Sequence, residues 1–159
     1  MVYIEKPREK DFGSMRVDLR SIPELRDLNV MAVPDFGVVF SDNKYLIIDR
    51  KTGQEKLEID GVSDQLKIYA LKTLMKSRTD LDTIELEWYE VYLPSLHEIG
   101  GKIEKMDIDN IIQKLKDDME YQKQFLIDGD IMKNEPLPHV SFPRTTNEKK
   151  CASCTFRKV

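Results

Sequence analysis

From Asn29 the apolar positions follow a β-like pattern. Val30, Val33, Val38, Val39 and Phe40 lead into the turn signal Ser41-Asp42-Asn43, and Tyr45 to Ile48 form a second apolar run. This stretch predicts a β-hairpin. After Gly53 and Gly61 the period changes: Val62, Leu66, Ala70 and Leu74 recur at near-helical spacing, with Ser63 or Asp64 ahead of them as an N-cap, so VSDQLKIYALKTLMKSR predicts a helix. Ile84 to Leu93 is rich in β-branched and aromatic residues and predicts a strand. Beyond SLHEIGG, the segment Lys102 to Met106 is expected to return beside it as a second hairpin. Ile108, Ile111, Ile112, Leu115, Met119, Gln122 and Leu126 then trace one face of a second helix, from about Asp107 to about Leu126.

The order β-β-α-β-β-α implies an α/β fold with a central mixed sheet flanked by helices. Residues 1 to 28 are charged and weakly patterned, with short strands expected near Val2 to Glu5 and Met15 to Leu19. Beyond Gly129 the prolines Pro136, Pro138 and Pro143, with threonines and lysines, read as an irregular tail ending in KKCASCTFRKV. The expected organisation is therefore one core over residues 1–128 and a tail over 129–159.

Composition narrows the function classes. A chain of 159 residues, 40% of them hydrophobic, suits one core. Its net charge of −4 provides no general field for nucleic acid, so contact with DNA needs a local basic patch. Lys67, Lys72, Lys76 and Arg78 on the first helix, with Arg144, Lys149, Lys150, Arg157 and Lys158 in the tail, are the candidates. Scattered lysines on a helix are more often its solvated face. No apolar run approaches the roughly 18 residues that span a bilayer, and the charged N-terminus lacks a signal core, so a cytoplasmic protein without membrane contact is expected. The absence of a glycine-rich phosphate loop argues against an ATP-driven motor within this chain.

The hairpin carries the candidate chemistry. Side chains alternate across a strand, so Asp49 and Lys51 share a face with Ile47, while Leu46, Ile48 and Arg50 share the other. A turn at Asp42-Asn43 sets Asp35 beside Asp49 or Arg50. Two carboxylates held close in a partly buried site repel unless a proton or cation intervenes, and a hard divalent ion with oxygen ligands is the common solution. A lysine alongside could orient water or stabilise charge developing on a phosphate. Taken alone, an Asp-x-Lys tripeptide at a strand end is usually solvated.

The arrangement Pro34-Asp35, apolar strand, turn, apolar strand, Asp49-Arg50-Lys51 resembles the PD-(D/E)XK nuclease signature, and Gln65 with Tyr69 on the following helix resembles the Q-x-x-x-Y motif of its RecB and Cas4 branch. The resemblance implies a restriction-endonuclease-like core that hydrolyses DNA phosphodiester bonds, as an exonuclease in the first instance. Asp35 and Asp49 would ligate Mg²⁺ or Mn²⁺, Lys51 would assist the attacking water, and Gln65 and Tyr69 would shape the site. Helicases and other repair or CRISPR proteins are the implied partners.

The same branch often ends in cysteines that hold a [4Fe–4S] cluster. Cys151 and Cys154 supply two of the four ligands, and the chain contains no other cysteine. The expectation is a piece of a longer protein; a vestigial motif and a site shared by two chains are the alternatives. The helix that carries an upstream histidine or glutamate in the family is not readable before Asp35, and Glu5 and Glu24 are only stand-ins. The rival reading is accordingly a non-catalytic DNA-binding or assembly module derived from a nuclease fold. Of the other candidates, His97 reads as a hairpin-loop surface residue and His139 as part of the tail. Trp88, Tyr89 and Tyr92 read as sheet and core residues more than as base-stacking platforms.

Overall fold

The computed structural model describes residues 17, 19–26, 28, 30, 32, 36–41, 43–53, 61–78, 80–143 and 147–153. The chain forms two compact units, Met1–Asp117 and Asp118–Val159, dividing inside the last long helix.

The first unit is built on a four-stranded mixed sheet in the order β1-β2-β3-β4. Strands β1 (Phe36–Ser41) and β2 (Lys44–Lys51) are the expected hairpin, antiparallel and in the expected register, with Phe36 opposite Ile48 and Val39 opposite Tyr45. Helix α1 (Asp64–Ser77) follows. Its first turn is capped by Ser63, whose hydroxyl accepts from the Leu66 N–H at 3.4 Å, and it stops at Arg78, which is left-handed at φ 54°. The helix carries the chain back to the start of the sheet. Strand β3 (Glu85–Tyr92) therefore pairs parallel to β2 from Lys44↔Glu85 to Lys51↔Tyr92.

The partner of β3 departs from the sequence expectation. Strand β4 is His97–Lys102, the HEIGGK segment read as loop, and helix α2 begins at Lys105 and runs to Lys123. An edge strand with two glycines and mostly exposed side chains carries no hydrophobic alternation by which to recognise it. Gly100 is required there, because a Cβ would come within 2.6 Å of the Trp88 carbonyl oxygen and of the Tyr89 ring.

Burial separates the two faces of the sheet. Ile47, Asp49, Leu86, Trp88, Glu90 and Tyr92 are buried, and α1 contributes Leu66, Tyr69, Ala70, Leu71 and Leu74 to the same core. Ile108, Ile111 and Leu115 form the buried stripe of α2, as its periodicity predicts. Lys67 pairs with Asp107 at 3.4 Å and Lys114 with Asp64, so α1 and α2 run past each other in opposite directions. The opposite sheet face is half-buried. Leu46, Ile48, Tyr89 and Val91 line an open groove of about 610 Å³ rimmed by Lys44, Glu87 and Glu98.

In the second unit Phe125 stacks on Phe142 with ring centroids 5.4 Å apart and meets Tyr121 edge-on at 5.1 Å. The segment read as irregular holds a 3₁₀ turn at His139–Ser141 and a short helix α3 (Glu148–Ser153). No helix among the described residues is long and apolar enough to cross a membrane.

Candidate active site

The last residues of β2 and the first turns of α1 build a polar cluster that runs from the buried Asp49 out to the exposed Gln65. Asp49 follows Ile47 on the buried face and is 2% exposed. Lys51, one step further on that face, is half-buried at the strand end. Because Ser63 starts α1 where it does, Gln65 and Tyr69 lie one turn apart and face β2. The Gln65 amide joins the group: its Nε2 donates to Asp49 Oδ1 at 3.2 Å and to the Tyr69 hydroxyl oxygen at 2.6 Å, while its Oε1 accepts from Lys51 Nζ at 2.8 Å. Both ends of the amide are thus used. Lys51 also forms an ion pair with Asp49 Oδ2. That oxygen is buried and accepts no hydrogen bond of good geometry, so the ammonium contact is chiefly electrostatic.

A further carboxylate completes the cluster. Glu90 lies directly across the parallel ladder from Asp49 and is 4% exposed. Tyr92, two residues on along the same face, donates its hydroxyl to Glu90 Oε2 at 3.0 Å, and Glu90 Oε1 lies 3.9 Å from Lys51 Nζ. One ammonium is therefore shared by two buried carboxylates. Burial by itself would lower the Lys51 pKa, but the close contact with the Asp49 carboxylate and the charges of Asp49 and Glu90 outweigh it and hold the lysine above its ordinary value. Chemically this is an all-oxygen donor pair with an adjacent fixed positive charge, suited to binding a hard cation and a phosphate together.

Sequence reasoning missed Glu90, although a signal exists. In Leu86-x-Trp88-x-Glu90-x-Tyr92 the glutamate occupies a core slot of a strict alternation, and the burial of β3 follows that alternation throughout. A charge in such a slot needs a partner across the sheet.

The other sequence candidates are placed as follows. Asp35 lies outside the described residues, as does Cys154; Cys151 falls in α3 with its side chain outside them. Among the described residues no group of three or more His, Cys, Asp or Glu is arranged to hold a metal ion. Lys72 leaves the set of phosphate-tracking lysines: it is 8% exposed and donates to the Ala32 carbonyl at 2.8 Å, and burial lowers its pKa. It sits on the inner side of α1, where a long aliphatic stem can pack while its ammonium finds a main-chain oxygen. Lys67 is engaged with Asp107. Lys149 is exposed on α3, and the Lys150 side chain lies outside the described residues. His97 opens β4 and is exposed, His139 is exposed in its 3₁₀ turn, and Trp88 and Tyr92 are core residues while Tyr89 is half-buried on the other face.

No family model matches the chain, and neither the curated proteins nor the solved structures yield a match.

Proposed function

We propose that the chain is a metal-dependent DNA nuclease of the PD-(D/E)XK type with a restriction-endonuclease-like core. The observation that carries the reading is the buried pair Asp49 and Glu90 sharing the Lys51 ammonium beneath Gln65 and Tyr69. The Asp-x-Lys and Gln-x-x-x-Tyr motifs are legible separately, and their convergence on one hydrogen-bonded cluster supports reading them together. The sheet supports it as well, since a hairpin strand bearing the motif is followed by a crossover helix and a parallel strand.

The donor set fits a hard divalent ion. Two carboxylates against one ammonium leave a negative excess in a buried place, and Asp49 Oδ2 has no hydrogen bond to lose. Asp49 and Glu90 would hold Mg²⁺ or Mn²⁺, with Asp35 as the further ligand that the resemblance implies. When bound, such an ion makes water acidic enough to attack near neutral pH and neutralises charge on the phosphate. Lys51, half-buried at the strand end, stabilises the negative charge that grows on the phosphate oxygens as the P–O bond breaks. Gln65 fixes the rotamers of Asp49 and Lys51 at once, and Tyr69 fixes Gln65.

The test is cleavage of labelled linear single- and double-stranded DNA with Mg²⁺, Mn²⁺ or EDTA. Metal-dependent cleavage, lost in Lys51→Ala and Asp49→Asn, is the expected result. A folded protein that neither binds Mn²⁺ nor cuts DNA overturns the reading in favour of a binding or assembly module.

A further inference from the structure

The turn joining β3 to β4 consists of Leu93, Pro94, Ser95 and Leu96, and it carries two local costs at one residue. Leu96 is 78% exposed, and its backbone is left-handed at φ 55°. The other described non-glycine residues with positive φ are Arg78, Asp128 and Asn134, all polar; Leu96 is the apolar one. A left-handed leucine is strained, because its Cβ crowds the following carbonyl oxygen. Glycine or asparagine would relieve the strain and the exposure together. Leu93, 44% exposed at the other side of the turn, and the exposed Pro94 add further apolar surface to the turn, and the fixed proline ring stiffens it.

The turn also emerges beside the candidate site. The Leu93 N–H donates to the Lys51 carbonyl at 2.9 Å, and His97, next after Leu96, pairs with Tyr92, which pairs with Lys51. Two strand spacings put the backbone of His97, the neighbour of Leu96, about 10 Å from that of Lys51. Along the axis of a duplex this corresponds to about three base-pair steps.

We propose that Leu93, Pro94 and Leu96 form a wedge that enters the base stack at the end of a DNA duplex whose backbone lies at the Lys51 site. The proposal rests on the nuclease reading and deepens it by naming the substrate: a duplex end that must be opened before one strand can reach Asp49 and Glu90. Apolar side chains inserted at a base step offset part of the cost of unstacking by covering the exposed base faces. A stiff tip loses little entropy in doing so. A basic or glycine-rich turn would grip phosphates instead and leave the stack intact.

The wedge can be tested without cleavage. The substrate is a linear duplex with 2-aminopurine in its terminal base pair and phosphorothioate linkages that resist hydrolysis, incubated with Mg²⁺ and wild type, Leu96→Gly or Leu96→Met. Wild type is expected to raise the 2-aminopurine fluorescence severalfold on binding. Leu96→Gly should melt at or above the wild-type temperature and bind within about threefold, since phosphate contacts dominate affinity, yet lose most of the fluorescence rise. Leu96→Met should retain it. An equal rise with Leu96→Gly, or binding by wild type without a rise, overturns the wedge and leaves the nuclease reading standing. Failure of wild type to bind DNA at all overturns both.

Discussion

Asp49 on β2 and Glu90 on β3 face each other across a parallel ladder, 2% and 4% exposed, with Lys51 the cation that the two share. Paired like charges in a core are costly unless something positive enters, and one ammonium compensates only one of them.

Glu90→Gln separates the fold from the site. The amide oxygen of the substituted side chain can still accept from Tyr92, and the variant removes the excess negative charge, so in EDTA its stability is expected to stay within about 1 kcal/mol of wild type or to rise. Its stabilisation by Mn²⁺ should fall sharply. Thermal melts with and without Mn²⁺ check both halves, and an unchanged metal-induced shift would remove Glu90 from the ligand set.

Lys51→Met should show a pH-dependent defect. The Lys51 pKa is raised in the fold above its ordinary 10.5. Its stabilisation is thus fully present below 10.5 and is lost as pH rises through the folded value. Urea unfolding at neutral pH is expected to show a loss of about 1–2 kcal/mol, a buried-pair figure reduced because the lysine is partly in solvent. Once the pH has risen past the folded value the gap from wild type should close; a gap constant across this range would disprove the assignment.

Lys72→Met tests the opposite sign. Burial lowers the folded pKa of Lys72 below 10.5, so between the folded and unfolded values the unfolded chain binds more protons and wild-type stability gains with rising pH. Methionine fills the same space without a charge. The variant is expected to lie within about 1 kcal/mol of wild type near neutral pH, balancing a relieved buried charge against the lost bond to Ala32. It should lack the alkaline gain. Its DNA affinity and the salt dependence of binding should equal those of wild type, because a buried lysine releases no counterions; a shallower salt slope would return Lys72 to the phosphate-tracking set.

Gly100→Ala should destabilise by about 1–3 kcal/mol, since the added methyl meets the Trp88 carbonyl and the Tyr89 ring at 2.6 Å and the edge strand must shift. Gly53→Ala, with nothing within 4 Å of the new carbon, is the matched control and should be nearly neutral. Denaturant midpoints of the two variants make the comparison, and equal midpoints would refute the packing account of Gly100.

Much of the local structure is legible in the chain because its causes are local. The turn between Ser41 and Lys44, the Ser63 cap with the Leu66 and Ala70 stripe, and the Ile108, Ile111 and Leu115 face each follow from residues within a few positions of one another. Strand period and helix period likewise put Asp49 with Lys51, and Gln65 with Tyr69, on shared faces, while what singled these four out was the resemblance to the PD-(D/E)XK signature. Strand β4 was not, because HEIGGK is held by its pairing with β3 and by the room that Gly100 leaves for Tyr89, neither of which marks the sequence. Lys72 was misplaced because helix periodicity cannot foresee a carbonyl at Ala32 that accepts its ammonium. Glu90 belongs to the site only through the parallel register of β2 and β3, a pairing between segments distant in the chain. Which strands become neighbours is settled by burial of the whole apolar face at once, and that choice turned two separate acidic residues into one buried pair.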